Sequence, residues 1–194
     1  MGSRADILNK IKANKPDELA LPIIDSDVFD EGLDLVKEFT KKVEVVGGNV
    51  YSVSSIDEVN SKIKALFPNT KHNFSIFENA DEINSFDIKD IEQPHDLEDL
   101  DVLVLTSDIA VAENGAIWIE DSLLPMRILP FITKHLVFII KESAIVPYMH
   151  QAYSTIKDFD FGVFISGPSK TADIEQSLVI GAHGALSLSV LLVK

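Results

Sequence analysis

The sequence predicts an α/β protein with a mostly parallel sheet flanked by helices, and three observations carry that prediction. Helix-like and strand-like segments alternate along the chain, the pattern of strand–crossover–strand folds. Runs at 102–105, 136–140, 161–165 and 188–192 are apolar almost throughout, as inner strands covered on both faces are. The composition is ordinary for a globular protein, with 46% hydrophobic and 25% charged residues over 194 positions.

Taken in order, Ser3 is a candidate cap for a first helix with Ile7, Leu8 and Ile11 on one face, ended by Lys15-Pro16. Residues 16–27 read as a linker whose Leu19, Leu21, Ile23 and Ile24 cover something apolar. A second helix follows Asp27, turning Phe29, Leu33, Val36 and Phe39 inward. Residues 43–46 read as a strand closed by Gly47-Gly48, with a second short strand at 49–53. Ser55-Ile-Asp-Glu58 is a capping box that opens a helix with Val59, Ile63 and Leu66 on its core face; Pro68-Asn69 stops it. A strand at 72–77 follows.

Residues 78–101 carry ten acids and one base, a net of −9. They read as a loop with a short helix near Leu97, mobile around 78–95 because like charges repel and apolar anchors are few. Strands follow at 101–106, at 116–119 after the Asn114-Gly115 turn, and at 136–140. Pro147 suits the first turn of a helix to about 156. A strand at 161–165, a helix at 171–180 and a strand at 188–193 complete the chain. The whole reads as a single domain overall, with an N-terminal helical segment, 1–45, packing on an α/β core, 46–194.

Charge and composition exclude several functions. The net charge is −14, which opposes contact with a phosphate backbone and argues against nucleic-acid binding. There is no cysteine, so the chain has no disulfide, no thiolate for an iron–sulfur cluster and no Cys-type zinc site. No two of the five histidines share an i, i+4 spacing. No G-x-G-x-x-G follows a strand. No cofactor and no metal are therefore expected on this chain. No apolar run approaches the ~18 residues of a membrane span, and the N-terminus lacks an apolar signal core. A cytoplasmic protein is the simplest expectation.

Two segments carry residues fit for chemistry. In Ser166-Gly-Pro-Ser-Lys-Thr-Ala-Asp173, Gly167 allows a sharp turn, and Ser169 or Thr171 can cap the expected helix. The N–H groups of such a helix start, with Lys170 beside them, suit an anion. Asp173 would steady the helix start. The bland alternative is a well-capped helix with a solvated lysine. In Asp108-Ile-Ala-Val-Ala-Glu-Asn-Gly115, Asp108 shares a face with two alanines, and Glu113 stands at a turn where it can serve as base or nucleophile. The alternative there is a tight hairpin with an exposed carboxylate. The two segments are expected to converge at the carboxyl edge of the sheet, where open α/β sheets bind ligands. His183, in Gly-Ala-His-Gly184, ends the expected helix and can reach its last carbonyls.

The run from Ser166 through Thr-Ala-Asp-Ile-Glu to Gly-Ala-His-Gly184 resembles the C-terminal signature of the LUD domain, the lactate utilization protein C (LutC/YkgG) family. Ser107-Asp-Ile-Ala-Val-Ala-Glu-Asn-Gly-Ala116 resembles a second run of that family, with Asn114, Ala116 and Ala185 standing where the family usually has Thr, Thr and Pro. The resemblance implies a fold like the NagB/RpiA/CoA-transferase group. It also implies a part in L-lactate oxidation to pyruvate beside iron–sulfur partner proteins of a lactate utilization operon, with a small anionic metabolite as ligand. In the transferases of that group a Glu-x-Gly turn carries the acyl-accepting carboxylate, and Glu113-Asn-Gly115 is similar in type. Two other readings stay open: a stand-alone enzyme on a small anionic acyl, phosphosugar or folate-type substrate, and a non-catalytic assembly factor. A homo-oligomer is compatible with each.

Overall fold

The computed structural model describes residues 3–20, 22, 23, 25, 32–78, 82–157, 159–172 and 178–194. The chain divides into two compact units, Met1–Glu31 and Gly32–Lys194. The first holds helix α1, Ser3–Ala13, none of whose residues is buried. Leu19 and Ile23 are almost fully exposed, against the expectation that the linker covers an apolar surface. Leu21, Ile24 and 26–31 lie outside the described residues.

The second unit opens with α2, Leu35–Val45. Asp34 accepts the Lys37 N–H as its cap. Residues 43–45 finish this helix and form no strand. Phe39 and Val43, one turn apart, are fully buried, so helical spacing outweighs the β-branched run. β1 is Asn49–Val53, and α3 is Ile56–Leu66. In place of a reciprocal capping box, the Glu58 carboxylate accepts the Ser54 N–H.

A five-stranded sheet, wholly parallel, has the order β1-β11-β6-β3-β2, where β2 is Asn73–Ser75, β3 Val102–Ser107, β6 His135–Lys141 and β11 Ser187–Val193. Alternation sorts its side chains onto two faces. Val102, Val104, Val137, Ile139 and Leu191 meet Val59 and Ile63 of α3. Leu103, Leu105, Leu136, Phe138, Leu188 and Val190 meet Phe39 and Val43 of α2 and a second sheet.

That second sheet has the order β7-β4-β5-β8: β4 is Ala110–Val111, β5 Ala116–Glu120, β7 Ile145–Val146 and β8 Gly162–Ile165. β4 and β5 form the expected hairpin, with Gly115 at φ +69°. β8 corrects an expectation: it pairs antiparallel with β5 and takes no place in the parallel sheet. Its apolar run arises because Val163 and Ile165 face the main core while Phe164 joins Trp118 on the other face. There Ala152 of α5, Met149–Thr155, packs on them. α5 starts after Tyr148 as its cap, two residues beyond Pro147.

The acidic stretch is tethered where it is described. Ile83 is buried, and Phe86, Ile88 and Ile91 pack on the core. Asn84 and Ser85 side chains accept the Ser75 and Asn73 N–H groups of β2. Apolar residues every few positions override charge repulsion. No described helix is long and apolar enough to cross a membrane.

Candidate functional site at the amino edge of the parallel sheet

The expected helix at 171–180 is absent at both of its described ends. β9, Lys170–Ala172, pairs antiparallel with β10, Leu178–Ile180. Residues 173–177, with Asp173, lie outside the described residues. Thr171, Val179 and Ile180 are β-branched and suit strands. With no helix start after Ser169, the dipole argument for an anion there falls.

The edge is also corrected. Ser169 donates its N–H to the Ala185 carbonyl at 2.9 Å, and Leu186 donates to Lys134 at 2.8 Å. These contacts immediately precede the first residues of β11 and β6. A Cβ at Gly167 would stand 2.6 Å from the Val46 carbonyl oxygen, just ahead of β1. Ser166–Ser169 and His183–Ala185 therefore meet at the amino ends of the parallel strands. The reason is topological: β8 runs in the second sheet, and its end returns over the starts of β11 and β6.

Gly167 has φ +75°, which only glycine adopts at little cost. The turn it makes places Ser166, Gly167, Pro168 and Ser169 along one wall of an open cavity of about 270 Å³. His183, Gly184 and Ala185 form another wall, with Pro130 and Phe131 of α4, Leu129–Ile132, and Val163–Ile165 of β8. The lining combines apolar side chains with the Ser166 and Ser169 hydroxyls and the His183 imidazole. Among the described residues no lysine or arginine lines it.

Glu113 and Ser166 are brought close through a neighbour: the Ser166 hydroxyl donates to the Asn114 carbonyl at 2.8 Å. The Glu113 carboxylate, however, accepts the Met149 N–H at 3.0 Å at the start of α5, and Glu113 is not in the cavity lining. Lys170 is exposed, and its ammonium lies next to Gly47. Thr171 is half-buried in β9. Asp108 is exposed at the bend after β3, at the opposite end of that strand from the cavity. His183 is exposed in the turn after β10, with no described helix to end. Among the described residues no three of His, Asp and Glu gather as metal ligands do.

Two features escaped sequence reasoning. The Pro130-Phe131 wall sits in a short apolar run, 128–132, whose composition was a signal. The second is a polar clamp beneath the site. Asp101 accepts from the Lys134 ammonium at 2.8 Å and from the Lys71 and His72 N–H groups at 2.9 and 3.1 Å. Burial opposes its ionisation, yet these three donors hold its carboxyl far below the usual range. The same hydrogen bond raises the Lys134 ammonium above its ordinary value, against a smaller opposing effect of burial and with help from Asp99. Burial pushes the neighbouring His135 down; the Asp101 charge opposes this and Lys134 adds to it. His135 Nδ1 shares a 2.8 Å hydrogen bond with the Ser187 hydroxyl. Asp101 stands just before β3 and Lys134 just before β6, whose first residues Val102 and His135 are in register, so the sequence pairs an acid ahead of one apolar run with a base ahead of another. That pairing was the available signal.

Comparison with known proteins fits this architecture. The chain is 32% identical over 131 residues to "Lactate utilization protein C" of Shouchella clausii, covering 64% of this chain and 54% of that protein. It is 38% identical over 98 residues to the protein of that name from Bacillus pumilus, covering 46% and 41%. The chain spans about half the length of the curated relatives it matches. A crystal structure of a DUF162 family protein from Deinococcus radiodurans shares the fold, with a TM-score of 0.64 at 15% identity, over 83% of this chain and 97% of that one. Residues 75–193 match the LUD domain, a span that includes every residue lining the cavity. The chain belongs to the LUD domain family.

Proposed function

We propose that the chain works in lactate utilization, as the cluster-free component of a system that oxidises L-lactate to pyruvate beside iron–sulfur partner proteins. The observation that carries the reading is the similarity to proteins named for lactate utilization, together with the LUD domain match over the residues that build the cavity. Two further facts support it. The chain has no cysteine, so the electron-carrying clusters fall to partners. The cavity lies just under the ~300–1,000 Å³ of drug-sized ligand sites, which suits a small molecule. Lactate and pyruvate each have a methyl group for the Phe131 and Ile165 side and oxygens for Ser169, His183 and the Gly184 backbone. Without a lining cation the site favours one compact carboxylate over a phosphate.

Deleting the gene for this chain should stop growth on L-lactate and leave growth on pyruvate intact. Equal growth on L-lactate with and without the gene would overturn the proposal.

A further inference from the structure

β8 is the last strand of the second sheet, and its Gly-Val-Phe-Ile run has no charge and no proline, the devices that normally protect an edge. All four of its residues are only half-buried, whereas Ile117, Trp118 and Ile119 beside them in β5 are buried. The register shows which of its groups point outward. Trp118 donates its N–H to the Ile109 carbonyl, away from β8. Ile117 and Ile119 therefore bond Ile165 and Val163, and Asp121 donates to the Phe161 carbonyl in the same phase. The N–H and C=O groups of Gly162 and Phe164 consequently face the open edge.

The start of that edge is acidic. Glu120, opposite Gly162 in register, lines an open pocket of about 480 Å³ with Asp121, Ser122, Phe159 and Asp160. Among the described residues no lysine or arginine lines it. Asp121 is paired with Arg127, so its charge is answered. Glu120 accepts the Ser122 hydroxyl, and among the described residues neither Glu120 nor Asp160 is in an ion pair. The Phe159 ring, 48% exposed, supplies an apolar wall. Two unanswered carboxylates beside an aromatic ring suit one cationic side chain with an aliphatic stem. The net charge of −14 also draws a cationic partner and repels a second copy of the chain.

We propose that β8 is the docking edge for an extended, basic segment of a partner protein. The segment's backbone pairs with the outward groups of Gly162 and Phe164, adding a strand to the sheet. One of its lysines or arginines enters the pocket between Glu120 and Asp160, against Phe159. The backbone bonds supply affinity, and the pocket supplies the preference for a basic sequence. Val163–Ile165 also line the cavity, so the docked segment borders it. This inference goes beyond the role in lactate utilization and does not rest on it.

The test is titration of the full chain with two short synthetic peptides, read by calorimetry and residue-resolved amide exchange. One alternates valine with lysine and arginine, the other valine with glutamate. The basic peptide should bind and protect the Gly162 and Phe164 amides, while Val163 and Ile165, already paired with β5, stay as they were. The acidic peptide should not bind. Glu120→Gln combined with Asp160→Asn should weaken binding of the basic peptide about fivefold or more and leave Tm unchanged. Asp57→Asn, on α3 beyond the parallel sheet, should leave binding as in the wild type. No binding of the basic peptide at about 1 mM would overturn the proposal. So would equal binding of the two peptides, protection at other amides only, or a double variant that binds as tightly as the wild type. Self-association that protects the Phe164 amide without peptide, seen by sedimentation over a concentration series, would assign the edge to a second copy and overturn it too. Growth on L-lactate reports the function separately from any of these results.

Discussion

Replacing Asp101 tests whether the clamp at the starts of β2, β3 and β6 holds the amino edge together. Its carboxylate satisfies the Lys71 and His72 N–H groups and the Lys134 ammonium. Hydrogen bonds to a charged partner contribute about 1.5–3 kcal/mol, and because Lys71 and His72 are exposed, water can reach their N–H groups and the lower end of that range applies. The Lys134 side chain is 42% exposed, so its share is discounted to about 0.5–1 kcal/mol. Asp101→Ala should therefore cost about 3 kcal/mol, which for a domain of this size lowers Tm by about 6–12 °C. Asp101→Asn can still accept from both N–H groups and should cost about 1–2 kcal/mol.

The pH dependence has a definite sign. The folded pKa is depressed, so the charged carboxylate's contribution is full above its ordinary value near 3.8 and is lost as pH falls below it. Urea unfolding of wild type and Asp101→Asn at pH 7, 5 and 3 is the assay. The gap between them should be constant from pH 7 to 5 and shrink by pH 3. A gap below about 0.5 kcal/mol at pH 7, or one unchanged at pH 3, would refute the reasoning.

Gly167→Ala puts a Cβ at φ +75° and 2.6 Å from a backbone oxygen, and should cost about 1–3 kcal/mol and disturb the cavity wall; a stability within 0.5 kcal/mol of wild type would contradict that turn. Gly162→Ala drives a Cβ to 2.1 Å from the Trp118 ring and should lower stability by about 1–3 kcal/mol, with a shift in Trp118 fluorescence. His135 is held neutral mainly by burial, so protonation opposes folding: wild-type stability should fall as pH drops through the ordinary histidine value near 6.5, and His135→Gln should flatten that slope. Glu113→Gln weakens only a cap on α5, so it should cost about 0.5–1 kcal/mol and leave growth on L-lactate unchanged; a growth defect would return Glu113 to the site.

The sequence made the parallel core legible because β3, β6 and β11 are covered on both faces, and such coverage shows as continuous apolar runs. The same signal misplaced β8. A strand between a main core and an aromatic cluster is apolar on both faces too, and composition cannot tell which sheet pairs it. Residues 43–45 misled for a related reason: β-branched residues at a helix end look like a strand, while the Phe39–Val43 spacing spoke for the helix. The site segment 166–185 was visible from its residue types. Its edge was not, because the rule that ligands sit at carboxyl ends presumes a crossover helix after 171, and the chain makes a β9–β10 ribbon there. Pro130 and Phe131 were invisible as site residues because only the folded chain brings them against Gly184.

The central claim is that the cavity between Ser166–Ser169 and His183–Ala185 is where this chain acts in lactate utilization. His183 is exposed and lines that cavity, so His183→Ala removes an imidazole with little effect on folding. The decisive measurement is growth on L-lactate of a deletion strain carrying His183→Ala at wild-type protein level. The account predicts growth far slower than with the wild-type chain and normal growth on pyruvate. Growth on L-lactate at the wild-type rate would contradict it.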